Sequence, residues 1–567
     1  MSPLSAASLH SRAVAAFVRR DYAEAEALLL RLLAGNAADR AARFNLGKVY
    51  EVTERYEAAA AAYEAIVANT PDDVAALLRL GTVRYVQDRY EDAAAAFADA
   101  LRASPGDATA ALNLGIVLNG LGRCEAAARV LREAVDAHPQ LSDARCALAE
   151  ALRELHRDGD AEAQARAVLE RDPANVGAQV IVGQIAYDRG EFDAAERAFA
   201  AAAEAAPDRA EPRLNLGVLL HGLGRYDEAL AHAEAAVALA PDDPLAHFDL
   251  GLTLLLGERY ERGFAEAEWR LRDPRTRAQL ARFDAIPRWD GAALNGGTLL
   301  VAREQGLGDF LLWARLFPEL KRRSGAHVVV ETPPALGRLA DALPGIDGAI
   351  AFAGDPPSAG ARFDAWLPVC SLPHALGVRE PVAPAQPYLR AGAAATARFG
   401  ARFAPAPGEL RIGIAWAGDP AHLLDRFRSC ALEDFAALAG VPNVRWFSLQ
   451  KGPREDEALH PPPGVDLVAL GPELVDLDDT AAAIAALDLV IAVDTSVVHL
   501  AGALGRPVWM LHGFGNYWLW GLRRADSPWY PSLRIFRQRR AGVWSDVFAD
   551  VRTALEAFAS TRDANAI

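Results

Sequence analysis

Apolar and polar positions divide the chain into two stretches with different periods. Through about residue 270 the pattern is helical and repeats every 34 residues: Gly47, Gly81, Gly115, Ala149, Gly183, Gly217 and Gly251 stand at that step. Pro71, Pro105, Pro139, Pro173, Pro207 and Pro241 keep the same step, each 24 residues after a small residue. Leucine precedes most of the small residues, and an aromatic series runs through Tyr22, Tyr56, Tyr90, Phe192, Tyr226 and Tyr260. Each unit is therefore expected to be two antiparallel helices, with the small residue permitting close approach, the aromatic filling the gap and the proline ending the second helix. About seven units, the first degenerate near residues 6–39, cover residues 6–273.

After Arg270 the pattern stops, and the prolines and glycines of RDPRTRAQLARFDAIPRWDGAALNGG mark a connector, placed at residues 274–290. The second stretch alternates short apolar runs with loops and helices. Residues 298–302 predict a strand, 303–309 (Arg-Glu-Gln-Gly-Leu-Gly-Asp) a glycine loop, the segment to about 322 a helix, and 327–331 a second strand. Strands are expected again at 412–416, 444–449, 489–493 and 507–511, with a helix after Asp494-Thr495-Ser496. Strand–loop–helix–strand units imply parallel sheets with ligand sites at the carboxyl ends of the strands. The expected fold is thus an α-solenoid followed by an α/β module of two Rossmann-like halves, 291–395 and 408–560. An Ala- and Pro-rich linker near 390–408 joins them, and the cleft between them is the expected site.

Composition narrows the picture. The net charge of −16, from 59 Lys plus Arg against 75 Asp plus Glu, disfavours general nucleic-acid binding. No apolar run is long enough to span a membrane, and the charged first thirty residues do not read as a secretory signal. Cys124, Cys146, Cys370 and Cys430 show no metal-ligand spacing, so a cytoplasmic location is expected.

The 34-residue unit resembles the tetratricopeptide repeat (TPR), whose concave face usually holds a peptide or partner protein. REQGLGD, WAGDPAHLLDRFRS, FSLQKGP, DLVIAVDTSVVHLAGALGRPVW and DSPWYPSLRIFRQ, in that order, resemble the motifs of bacterial TPR proteins with a heptosyltransferase-like domain. That resemblance implies the two-domain GT-B glycosyltransferase fold, in a layout similar to O-GlcNAc transferase. It also implies a nucleotide-sugar donor, an acceptor hydroxyl, inverting single displacement and no metal or other cofactor. A protein or peptide acceptor on the repeats is expected; a transferase acting on lipid-linked or polysaccharide glycan, and a non-catalytic TPR scaffold, are the alternatives.

Each candidate residue has a structural reading beside the functional one. By similarity to heptosyltransferases Asp309 is the general base, although a helix-capping Asp would look the same. Gln305, Gly306, Gly308 and Gln450 are candidates for acceptor or sugar contacts, the glycines by letting backbone approach the substrate. Asp494, Thr495 and Ser496, at a strand-to-helix passage, are candidates for the donor phosphates, since a helix N-terminus offers free amides. His499 in the next turn is either a donor contact or a packed histidine. Lys451, one of three lysines in the chain, and Arg426 or Arg428 are the candidate cations. Asp476 and Asp478 form a DxD read as a helix cap, and Trp518, Trp520, Trp529 and Tyr530 are read as core.

Overall fold

The computed structural model describes residues 6–352, 362–384, 387–404, 409–420, 425–515 and 517–565, with side chains described to residue 560. Parts of the expected linker (405–408) and of the WAGDPAHLLDRFRS loop (421–424) lie outside the described residues. The chain forms two compact units, Met1–Pro207 and Asp208–Ile567.

The first unit holds six antiparallel helix pairs among its described residues, from Ala6–Val18 with Tyr22–Gly35 to Val176–Asp188 with Phe192–Ala205. The 34-residue step has a local cause. Asp39, Asp73, Asp107 and Asn175 each cap a first helix, the side chain accepting the amide three residues on. The turn inside each pair needs one left-handed residue, and Arg20, Glu54, Asp88, Gly122, His156 and Gly190 occupy it at the same step. The small residues are required by packing. A Cβ on Gly47, Gly81 or Gly183 would fall 2.6, 2.6 or 2.5 Å from the ring of Tyr63, Phe97 or Phe199. This corrects the expected partner: the side chain over the small residue stands sixteen positions later, and Tyr22, Tyr56 and Tyr90 instead begin the second helices.

In the second unit two more helix pairs, Ala210–Gly222 with Tyr226–Leu239 and Pro244–Leu256 with Tyr260–Ala267, precede the α/β module. The described residues therefore contain eight pairs rather than about seven, the degenerate 6–39 segment forming a full pair. Gly251 meets backbone here, its would-be Cβ 2.7 Å from the Ala267 nitrogen, so the last pair is closer-packed than its predecessors.

The module contains two parallel sheets. Strands β1 (Thr298–Ala302), β2 (His327–Thr332), β3 (Gly348–Ala351) and β4 (Ala365–Pro368) lie in the order β3-β2-β1-β4. Strands β5 (Leu410–Ala415), β6 (Val444–Ser448), β7 (Leu467–Ala469), β8 (Leu489–Val493), β9 (Val508–His512) and β10 (Leu533–Arg537) lie in the order β10-β9-β8-β5-β6-β7. Each order reverses direction once, between β1 and β4 and between β5 and β8, and the crevice at such a reversal is where open parallel sheets bind ligands. β3, β4, β7 and β10 were not among the expected strands.

Among its described residues the segment expected as linker contains a helix. Helix Ala393–Arg402 packs on helix Leu477–Ala486 of the second half, and Phe403 lies 4.2 Å from Phe447, ring centre to ring centre. Arg338 of the first half binds Asp476 and Asp479 of the second. Asp476 also caps its own helix, and Asp478 accepts the Gly392 amide, so the DxD is structural as expected. No described helix is long and apolar enough to cross a membrane.

Glu54 holds its left-handed backbone (φ 58°) on an exposed turn, a conformation that costs an L-residue about 1 kcal/mol or more. Glu54→Gly should therefore raise the stability of the first unit by about 1 kcal/mol, read as a higher denaturation midpoint.

Candidate functional site

At the reversal of the first sheet, β1 runs into Arg303-Glu304-Gln305-Gly306 and then helix Leu307–Trp313. Two ion pairs fix the entry. Arg270, just past the last repeat helix, is buried and binds both Glu304 oxygens at 2.7 and 2.8 Å while also donating to Ser371 after β4. The Arg303 amide donates to Glu331, which Arg282 also holds. Between these anchors Gln305 is exposed with φ 61°. Gly306 precedes the helix, and a Cβ there would lie 3.3 Å from Asp309 Oδ2.

Asp309 sits in the first turn of that helix. Burial pushes its carboxyl above the usual range, with Glu304 adding to the rise, while a hydrogen bond from the Tyr517 hydroxyl to Oδ1 at 3.2 Å opposes it. Gly308 has a different role from the one expected. Its missing side chain makes room for protein, since a Cβ would fall 2.8 Å from His499 Cδ2.

At the reversal of the second sheet, the loop after β5 meets the loop after β8. Gln450 shapes the first of these: its Oε1 accepts from the Trp416 and Ala417 amides, and its Nε2 donates to the Ala417 and Lys451 carbonyls. All four of its amide positions are used, so Gln450 supports the loop and has no polar atom left for acceptor or sugar. Gly418 follows, its would-be Cβ 2.9 Å from Arg428 Nη2. Arg428 is half-buried beside Gly418, and its charge reaches Asp494; Arg426 is exposed and lies over the Phe427 ring. Of the two arginines, the fold brings Arg428 to the crevice. Gly513 after β9 supports the placement, because a Cβ on it would collide with the Phe427 carbonyl.

After β8, Asp494 Oδ2 accepts the Trp520 indole N–H at 2.9 Å. Burial raises Asp494 to about 6, Arg428 pulling it down and Asp309 pushing it up, so the two carboxyls feel each other across the cleft. Thr495 precedes helix Ser496–Ala503, and its buried Oγ1 has no hydrogen-bond partner. His499 turns inward: Nδ1 lies 3.1 Å from the Tyr530 hydroxyl, and burial lowers its pKa to about 3. It is therefore a neutral, packed imidazole that carries no positive charge to a phosphate. Lys451 points away from Asp494, donating to the Gly471 carbonyl at 2.8 Å and pairing with Glu455 at 2.9 Å.

Tyr517, Trp520 and the Arg270–Glu304 pair were not read as site residues. The aromatic crowding near the end was visible, but its partners stand up to 208 positions away. As expected for core, Trp518, Trp520, Trp529 and Tyr530 are buried.

This arrangement, two parallel sheets with their crevices turned to a common cleft behind a run of helix pairs, agrees with the family comparisons. Residues 10–74, 78–142, 112–176, 146–210, 183–244 and 214–272 match the tetratricopeptide-repeat model, and residues 443–542 match the model for glycosyltransferase family 9 (heptosyltransferase). The chain thus carries TPR repeats followed by a glycosyltransferase family 9 domain.

Among curated proteins it is similar to Protein FlbA of Caulobacter vibrioides, 28% identical over 298 residues that cover 48% of this chain and 49% of FlbA. The chain therefore spans about half the length of that relative. Among solved structures it is similar to a tetratricopeptide repeat protein from Parabacteroides merdae (14% identity, 44% of this chain and 98% of that one, TM-score 0.41). A thermophilic TPR protein from Thermus thermophilus is also similar (28% identity, 32% and 97%, TM-score 0.30).

Asp494 gives a stability prediction. Its folded pKa of about 6 lies above the ordinary 3.8, so the folded state holds this proton more tightly. Stability from this group is therefore lost as pH rises from about 4 through 6 and stays lost above. Asp494→Asn should stabilise the chain at pH 8 by up to about 3 kcal/mol, and the gain should vanish near pH 4. Melting temperature measured against pH checks both limbs.

Proposed function

We propose that the chain transfers a sugar from a nucleotide-sugar to a hydroxyl of a protein held by the repeats, by a single inverting displacement that needs no metal, in the cytoplasm. The observation that carries this reading is the pairing of Asp309 and Asp494 across one cleft at the reversal points of two parallel sheets, with Asp494 inside the glycosyltransferase-matched segment. The donor diphosphate lies against the N-terminus of helix Ser496–Ala503, where main-chain amides stabilise developing negative charge and the buried Thr495 Oγ1 has no other hydrogen-bond partner. Arg428 supplies the positive charge on the other wall. Lys451 joins it only by leaving Glu455. The exposed Gln305 and Gly306 border the acceptor, and Asp309 accepts the proton of the attacking hydroxyl. The free cysteines among the described residues are compatible with a reducing compartment. The repeats, which have no role in holding a small glycan, favour a protein acceptor over a lipid-linked or polysaccharide one.

A thermal-shift panel with ADP, UDP, GDP and dTDP tests the donor side, since a ligand bound only by the folded chain stabilises it by about 2.7 kcal/mol at a hundred times its Kd. One nucleotide should raise the melting temperature of the wild type, and Arg428→Ala should abolish that rise. Silence across the panel with folded protein would favour a non-catalytic scaffold. Asp309→Asn should keep the nucleotide shift and lower transfer by about 10²- to 10⁴-fold.

A further inference from the structure

We propose that Tyr517 is a positioning residue of the transfer reaction: its hydroxyl, carried by the second half, holds Asp309 Oδ1 in the first half and leaves Oδ2 to take the acceptor proton. The inference rests on the functional reading above and assigns a task to a residue outside the recognised motifs.

The geometry starts with the backbone that carries Tyr517. The next residue, Trp518, is buried against Phe264 of the last repeat helix, Trp313 and Trp529, at ring-centre distances of 5.9, 6.2 and 5.9 Å. Two residues further, the Trp520 indole is tied to Asp494. One short turn, Trp518–Trp520, is thus fixed at three points, and Tyr517 leaves it toward the first half. Its hydroxyl donates to Asp309 Oδ1, while Oδ2 lies on the side of the exposed Gly306, a Cβ on which would stand 3.3 Å away.

In the displacement, the acceptor oxygen forms the new bond to the anomeric carbon as the bond from that carbon to the diphosphate oxygen breaks. The bonding pair leaves with the diphosphate, and the acceptor proton passes to Oδ2 of ionised Asp309. The Gly306 and Asp309 main-chain amides also hold the carboxyl, and losing the Tyr517 contact removes the side-chain donor that orients Oδ1, so that fewer of its orientations are productive.

The charges around Asp309 set the direction of the test. Burial and Glu304 from its own loop oppose its ionisation, and Asp309 in turn raises Asp494 at the end of β8. Cys370 after β4 holds its proton, its thiol pushed well up by burial, and His499 beneath Gly308 is neutral. The hydrogen bond from Tyr517 favours the ionised carboxyl. Deleting that hydroxyl should therefore move the acidic limb of the rate profile to higher pH.

The experiment compares wild type, Tyr517→Phe and Asp309→Asn in the full chain. The substrate is the nucleotide-hexose whose nucleotide gives the thermal shift, and release of the nucleoside diphosphate is followed from pH 5 to 9. Tyr517→Phe should keep the nucleotide-induced shift and the donor KM, lower kcat about tenfold at pH 7, and move the acidic limb of kcat/KM up by about one pH unit. An unmoved limb with active wild type would overturn the assignment of Tyr517 and leave the transferase reading intact. A loss of kcat that is uniform across pH would also overturn it, since packing alone produces that result. A wild type that binds nucleotide and releases none from any donor would overturn the transferase reading and this inference with it.

Discussion

The cleft depends on a shared aromatic core. Tyr260 and Phe264 come from the last repeat helix, Trp313 from the helix run that follows the glycine loop, and Trp518 and Trp529 from the end of the second half. All five are buried in one apolar cluster. Each edge-to-face pair contributes about 0.5 to 1.5 kcal/mol beyond area burial, but the geometric consequence is larger. Three segments distant in sequence are brought to fixed separations, and the polar groups they carry meet because the rings do.

Electrostatics then sorts the walls of the cleft. Burial raises both Asp309 and Asp494, with Glu304 adding to the rise at Asp309 and Asp309 adding to the rise at Asp494, which an ordinary structural site would avoid. Arg428 is the cation that reaches Asp494, from the β5 side. On the proposed reading a diphosphate is attracted to the Arg428 wall and repelled from the Asp309 wall, and a neutral hydroxyl is the species that approaches Asp309 at no charge cost. The proposed donor and acceptor sides agree with this asymmetry without a contribution from His499, whose burial keeps it neutral.

The repeats were legible because each requirement recurs: the small residue under a ring and the proline after the second helix keep one step. The left-handed turn residue keeps the same step and was missed, since Arg, Glu, Asp, Gly and His share that conformation without sharing a chemical type. In the module, the strands of five or six residues other than β10 were read from sequence. β7 is three residues long, β3 alternates half-exposed positions, and neither carries a strong local signal. Site reading placed Asp309 and Thr495 at strand ends through their own loops, and their roles belong to the proposed function. It failed for Gln450 and Gly308, whose roles are set by neighbours across the fold: Gln450 spends its amide on a loop some 33 positions earlier, and Gly308 makes room for a histidine in the other half.

The glycine loop shows how these contacts combine. Gln305 holds a left-handed backbone that costs an L-residue about 1 to 2 kcal/mol, and a free loop would relax from it. It is gripped on both sides. Glu304 is locked by Arg270 in a buried bidentate pair, which would cost about 3 to 5 kcal/mol to break by removing one partner. Asp309 is tied to Tyr517 on the far side. Either anchor exceeds or matches the strain, so the loop stays in the conformation that exposes Gly306 and presents Oδ2. Arg270 belongs to the turn that ends the last repeat, and the arrangement of the proposed base therefore requires the end of the repeats to be docked, which makes the final helix pair part of the site.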